Sequence, residues 1–273
     1  MALNNTYDAR LVQQETVVGA GAQILLLALL GPAIGMGPAG WVTGLVFAVA
    51  TWAVLSRALR RSRPRSFGPA NRVTLGRAVL VGGVTALVAD SFASAPPVSL
   101  LVALTAVALI LDGVDGRVAR RTGTSTALGA RFDMEVDAFL ILVLSVYVST
   151  RLGPWVLLIG GMRYAFVAAA RVLPWLNAPL PPSTARKTVA ALQGICLLLA
   201  GADLLPPWVN AGVVLLALGL LAWSFGRDVL WLRQSSRTAA AKADAPEESR
   251  PKNSDAAPAT DPVEALLEPA QAA

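Results

Sequence analysis

Eight apolar runs, each about long enough to cross a bilayer, decide what this 273-residue chain can fold into. They lie at about 17–36, 40–58, 73–90, 97–114, 128–149, 154–173, 188–205 and 208–232. About 20 helical residues rising 1.5 Å each cover a hydrocarbon core about 30 Å thick. The runs are continuous and do not alternate, which excludes a closed barrel and leaves helices. Only 15% of the residues are charged and 55% are hydrophobic; soluble domains hold about 25% charged residues. The expected fold class is therefore all-α, a polytopic membrane helix bundle. The first sixteen residues are polar without a basic cluster, and no small-residue cleavage site follows the first run. That run reads as a retained helix.

Arginine sets the orientation. The segment "SRALRRSRPRSFGPANR" between the second and third runs carries Arg57, Arg60, Arg61, Arg63, Arg65 and Arg72. Arg117, Arg120 and Arg121 follow the fourth run, Arg171, Arg186 and Lys187 the sixth, and Arg227, Arg233 and Arg237 close the eighth. The intervening loops "GMGPAG", "SFASAPP", "STRLGP" and "GADLLPP" hold Arg151 alone. The positive-inside rule then places both termini and the charged loops in the cytoplasm. Arginine outnumbers lysine 20 to 3, which fits a GC-rich genome and a bacterial inner or cell membrane.

From about residue 236 the chain turns to Ala, Pro and acidic residues and reads as a disordered cytoplasmic tail. Four basic and seven acidic residues from Arg237 on give −3 of the whole-chain +6, leaving +9 on the membrane part. Anionic membrane lipids are the expected partners of that excess. Nucleic acid is set aside, since no basic patch is interleaved with aromatics. The single Cys196 excludes an intrachain disulfide, and the absence of histidine excludes imidazole catalysis and His-ligated metals.

Between the fourth and fifth runs stands "LDGVDGRVARRTGTSTALGARFDMEVD". Asp112 and Asp115 are three apart, Asp133 and Asp137 four apart, so each pair shares a helix face. "RRTGTSTALG" reads as a turn, and the two helices as an antiparallel hairpin with opposed carboxylate faces. Four clustered carboxylates stay ionised together only around a cation. Hard divalent cations with oxygen ligands suit the cluster, and two would neutralise it. A solvated helix end is the plain alternative, but carboxylates beside hydrocarbon are costly and mark function.

"DGVDGRVAR" followed by "GARFDMEVD" resembles the CDP-alcohol phosphatidyltransferase signature DxxDGxxAR…GxxxDxxxD. All eight fixed positions are present: Asp112, Asp115, Gly116, Ala119, Arg120, Gly129, Asp133 and Asp137. The resemblance implies a six-helix catalytic core at 71–235, preceded by two additional transmembrane helices and a basic linker at 1–70, and followed by the tail at 236–273. It implies transfer of a phosphatidyl group from CDP-diacylglycerol to an alcohol with release of CMP, in a homodimer. It also implies two divalent cations, Mg2+ or Mn2+, on Asp112, Asp115, Asp133 and Asp137, with Asp137 also taking the acceptor proton. Gly116, Ala119, Arg120 and Gly129 would hold the CDP-lipid. "NRVTLGR" resembles the family's NxxTxxR element, which adds Asn71 and Thr74 to the CDP-lipid contacts. Arg77 completes it, with a snorkelling arginine as the competing reading.

"STARKTVAALQG" resembles a basic Lys-Thr element of the family through Arg186, Lys187 and Thr188. With Arg163 and Arg171 these form the candidate acceptor pocket, although membrane-face anchors explain Arg171, Arg186 and Lys187 equally well. Arg163, deep in an apolar run, requires a carboxylate or a phosphate. Such cations point to an anionic acceptor, a phosphorylated polyol such as glycerol 3-phosphate or inositol phosphate. Glu135, between Asp133 and Asp137 on another face, is expected to have no ligand role. The rival readings are an aspartate-rich membrane prenyltransferase and a cation or proton-coupled transporter. The first separates its acidic motifs on distant helices, and the second wants a mid-bilayer site between repeats.

Overall fold

A computed structural model of the chain describes residues 2–62, 69–95, 97–122, 127–181 and 183–243, with the side chains of 2–15, 60–62, 69–70, 115, 118–122, 127 and 239–243 left aside. Among the described residues there are eight α-helices: α1 (Ala2–Ile34), α2 (Pro38–Ser62), α3 (Pro69–Asp90), α4 (Val98–Thr122), α5 (Ala127–Leu152), α6 (Leu157–Val172), α7 (Thr184–Gly201) and α8 (Pro207–Ala243). Short 3-10 turns at Pro154–Val156 and Pro174–Asn177 flank α6. The protein is an all-α, multi-span membrane bundle. Five helices are long and apolar enough to cross a bilayer: α1, α2, α3, α6 with its leading turn, and α8. α4 is apolar from Val98 to Leu111 and then carries the charged segment "DGVDGRVARR" within the same helix, which runs to Thr122. α5 is interrupted in the same way by its own Arg131, Asp133, Glu135 and Asp137.

Helix ends follow local chemistry. Gly35 takes φ 66 just past α1, and the Met36 N–H donates to the Gly31 carbonyl at 2.9 Å. This is a Schellman stop, which glycine permits at no steric cost. Pro38 then opens α2 where a missing N–H does no harm. The Ser183 hydroxyl accepts from the Arg186 N–H and caps α7. α8 runs to Ala243, past the expected boundary at 235, because "SSRTAAAKA" is rich in strong helix formers. The rest of the expected tail lies outside the described residues, as do positions 63–68 of the arginine-rich linker and 123–126 of the α4–α5 turn.

α3 is the centre of the bundle. It packs against α1, α2, α4 and α5, while α5 also meets α6 and α7, and α7 meets α8. In the α3 span 67% of residues are buried, against 22–28% in the other four spans. Val81, Val84, Leu87, Leu101, Leu140, Leu144 and Leu197 form the continuous core. α6 crosses α5 at Gly160, where a Cβ would stand 2.5 Å from the Leu142 Cα, so only glycine lets the two backbones approach.

One buried acid fixes the two N-terminal helices to α3. Asp90, at the end of α3, accepts from the Gly37 N–H and the Ser94 hydroxyl, both at 2.8 Å. The α1–α2 turn is thereby tied to the end of α3 remote from the arginine-rich segments.

Candidate active site: an arginine among three carboxylates

Asn71, Thr74 and Arg77 follow at intervals of three on α3 and are all buried. Three-residue steps keep them on one face of the helix. That face looks toward the charged ends of α4 and α5, both packed on α3. The Arg77 guanidinium reaches three carboxylates. Its Nη1 donates to Asp112 Oδ1 at 2.8 Å and to Asp133 Oδ1 at 2.5 Å, and its Nη2 donates to Asp137 Oδ1. Asp112 comes from α4, and Asp133 and Asp137 from successive turns of α5.

Exposure gives the site a direction. The Arg77 side chain is 1% accessible, whereas Asp112, Asp133 and Asp137 are 38%, 33% and 41% accessible. The site is a cup: the buried guanidinium forms its floor and the more accessible carboxylates form its wall. One ligand oxygen from each aspartate lies within 4.8 Å of the others. Two oxygens bound to one Mg2+ at about 2.0–2.1 Å are at most about 4.2 Å apart, so a small contraction closes this set around an ion. Among the described side chains, three carboxylates against one guanidinium leave a formal −2, which a divalent cation matches. The donor set therefore fits a hard divalent metal.

The cation expected among the aspartates is thus present in part as Arg77, whose side chain is fully buried among its partners. α4 and α5 are joined mainly through α3 and α7, with little direct contact between them among the described residues. Asp112 of α4 faces Asp133 and Asp137 of α5, as expected from the sequence, and Arg77 of α3 joins them as a third helix's contribution. Gly116 lies one turn after Asp112 on α4, and Gly129 one turn before Asp133 on α5. The side chains of Asp115, Ala119 and Arg120 lie outside the described residues.

The candidate acceptor cations are distributed differently. Arg163 donates to Glu135 at 2.5 Å, so its partner is a carboxylate of α5, on the face turned from Asp133 and Asp137. Arg186 pairs with Asp228 of α8 at 3.3 Å and donates to the Pro181 carbonyl. Arg227 joins this group, reaching Ser183 Oγ at 3.2 Å and Asp228 at 3.6 Å. Arg171 and Lys187 are exposed and have no ion-pair partner among the described residues. Asp228 was not singled out from the sequence, though an acid in the apolar segment "SFGRDVLW" is the kind of signal that marks a partnered charge. At the opposite end, Arg151 pairs with Asp203 at 3.3 Å.

A family model described as CDP-alcohol phosphatidyltransferase matches residues 67–224, a range that holds α3 to α7, the first half of α8 and every residue of the carboxylate cup. No curated protein and no solved structure matches the chain.

Proposed function

This chain belongs to the CDP-alcohol phosphatidyltransferase family, and from that premise we propose that it moves a phosphatidyl group from CDP-diacylglycerol to the hydroxyl of a phosphorylated polyol, glycerol 3-phosphate or inositol phosphate, with release of CMP. The observation that carries this reading is the convergence of Asp112, Asp133 and Asp137 on one point, with ligand oxygens within 4.8 Å.

Asp112, Asp133 and Asp137, with Asp115, hold two divalent cations, Mg2+ or Mn2+. When bound, such ions polarise phosphoryl oxygens and steady an attacking and a leaving oxygen. Arg77 donates to all three carboxylates and so holds them aimed at that point. Asp137 accepts the proton of the acceptor hydroxyl, whose oxygen then bonds to the phosphorus bearing diacylglycerol. The bond from that phosphorus to the bridging oxygen breaks, and its electron pair leaves with CMP. Arg120 pairs with the departing phosphate, a task suited to a planar guanidinium. Asn71, Thr74, Gly116, Ala119 and Gly129 line the nucleotide side, where small residues allow close approach.

The acceptor's phosphate is drawn to the cations around the start of α7. Arg186 and Arg227 are held there by Asp228, and Lys187 and Arg171 stand exposed nearby in sequence. Arg163 contributes less charge to this task, since Glu135 already matches it. We read all eight helices as crossing the bilayer, with 71–235 as the catalytic core. The cup and both termini lie on the arginine-rich, cytoplasmic side, in a homodimer within a bacterial membrane. Support for the orientation comes from the sequence, in which the segments before α3, after α4, before α7 and at the end of α8 hold nearly all the arginines and the alternate loops hold Arg151.

The test is CMP release by purified protein from CDP-diacylglycerol with Mg2+ or Mn2+, across a panel of glycerol 3-phosphate, inositol phosphate, inositol and serine. Metal-dependent release with a phosphorylated polyol supports the proposal. Release only with inositol or serine overturns the acceptor assignment, and no release with any acceptor overturns the reaction.

A further inference from the structure

Away from the carboxylate cup, the end of α6, the 3-10 turn after it and the cytoplasmic part of α8 enclose a cavity of about 630 Å3. Its composition is graded along α8. Phe166, Trp175 and Val229 line the part nearest the bundle, beside a small apolar core of Ala170, Leu176 and Leu232. Arg233, Ser236 and Arg237 line the other part. Val229 follows Asp228, which holds Arg186 at the arginine-rich end of the bundle. At about 1.5 Å per residue, Arg233 and Arg237 stand about 6–12 Å further along the helix. The cavity therefore runs from greasy to cationic across the depth at which a bilayer changes from acyl chain to headgroup.

The two arginines are four apart on one face, a like-charge arrangement that opposes the helix unless an anion lies between them. Neither has an ion-pair partner among the described residues. Nor does the helix dipole account for them, since its effect is confined to the last turn and α8 continues to Ala243. Ser236 adds a hydroxyl between them. The volume is within the range of small-molecule sites, about 300–1,000 Å3.

We propose that this groove binds an anionic phospholipid of the surrounding bilayer, with one acyl chain along Phe166, Trp175 and Val229 and the phosphate held by Arg233 and Arg237. The groove shares no lining residue with the carboxylate cup. The inference rests on the position of the basic end at a membrane surface and not on the transfer reaction, so its failure leaves that reaction untouched.

The test uses the full chain in lipid nanodiscs and in detergent, with phosphatidylglycerol, phosphatidylcholine and inorganic phosphate as probes. Native mass spectrometry reads retained lipid, and thermal melting reads stabilisation. Wild type should retain phosphatidylglycerol and melt higher in its presence, with phosphatidylcholine and inorganic phosphate having little effect. In the Arg233→Gln/Arg237→Gln variant, phosphatidylglycerol affinity should fall about thirty-fold, since each surface arginine contributes about 1 kcal/mol and 1.4 kcal/mol is tenfold. Ala169→Trp, which fills the apolar wall and leaves both arginines in place, should abolish retention. Equal phosphatidylglycerol binding by wild type and both variants overturns the site. So does stabilisation by inorganic phosphate alone, or a dimer that Ala169→Trp dissociates without any lipid dependence.

Discussion

Replacing Arg77 with methionine removes the floor of the carboxylate cup while keeping most of its volume. At an effective dielectric of about 20, two unit charges about 4 Å apart interact with about 4 kcal/mol. Arg77 makes three such contacts and is itself 1% accessible. The carboxylates are a third or more open to water, so screening and partial protonation absorb much of that sum. The loss expected is that of breaking a buried ion pair by removing one partner, about 3–5 kcal/mol. At about 2–4 °C per kcal/mol for a chain of this size, Arg77→Met should melt roughly 6–20 °C lower in chelator. Added Mg2+ should then rescue the variant more than it stabilises wild type. The substitution makes the site one charge more negative than in wild type, and saturation at 100 times Kd returns about 2.7 kcal/mol. The assay is thermal unfolding of both proteins in detergent, in chelator and across a Mg2+ titration. Equal melting temperatures in chelator, or equal Mg2+ shifts in both proteins, would refute the electrostatic reasoning.

Other consequences can be measured alongside. Asp137→Asn should lower kcat for CMP release about 10^2–10^4-fold, the range for loss of a general base, while leaving the fold intact by thermal melting. Arg186→Gln should raise the acceptor's KM about tenfold or more and leave the KM for CDP-diacylglycerol near wild type, a charge-assisted hydrogen bond being worth about 1.5–3 kcal/mol; equal effects on both would remove Arg186 from the acceptor site. Asp90→Ala leaves the Gly37 N–H without its acceptor and the Ser94 hydroxyl with only the backbone carbonyl of residue 90 at 3.4 Å, and should cost about 1–3 kcal/mol. Faster proteolysis within the α1–α2 turn is the accompanying readout.

The helices were legible because a bilayer enforces one rule, that backbone polar groups be satisfied within each span. Span starts fall close to expectation for the 3-10 turn leading into α6 and for α8, both of which open at prolines. Ends are less legible where the helix outlasts its apolar stretch, as in α4 and α8, since helix propensity continues after hydropathy stops. In the candidate site, the aspartate spacing announced a shared face for each pair. It did not announce that the cation between α4 and α5 would come from α3, because the sequence separation between Arg77 and its partners carries no periodic signal. The only hint was the three-residue rhythm from Asn71 through Thr74 to Arg77. The choice between Glu135 and a phosphate as partner of Arg163 is likewise a tertiary outcome, set by how α6 crosses α5 at Gly160.

The seating of α1 and α2 on α3 also bears on how the protein is made. A ribosome delivers those two helices first, and both are greasy along most of their circumference. The next to arrive, α3, is less apolar than either of them and carries an arginine that costs about 2.5–3.5 kcal/mol at mid-bilayer and less toward the surface. Its acidic counterparts are still unsynthesised at that moment. The early pair gives α3 a proteinaceous flank to lean on until α4 and α5 emerge, so a chain started at Pro69 should show a larger fraction of uninserted α3 in a translocation assay than the full-length chain.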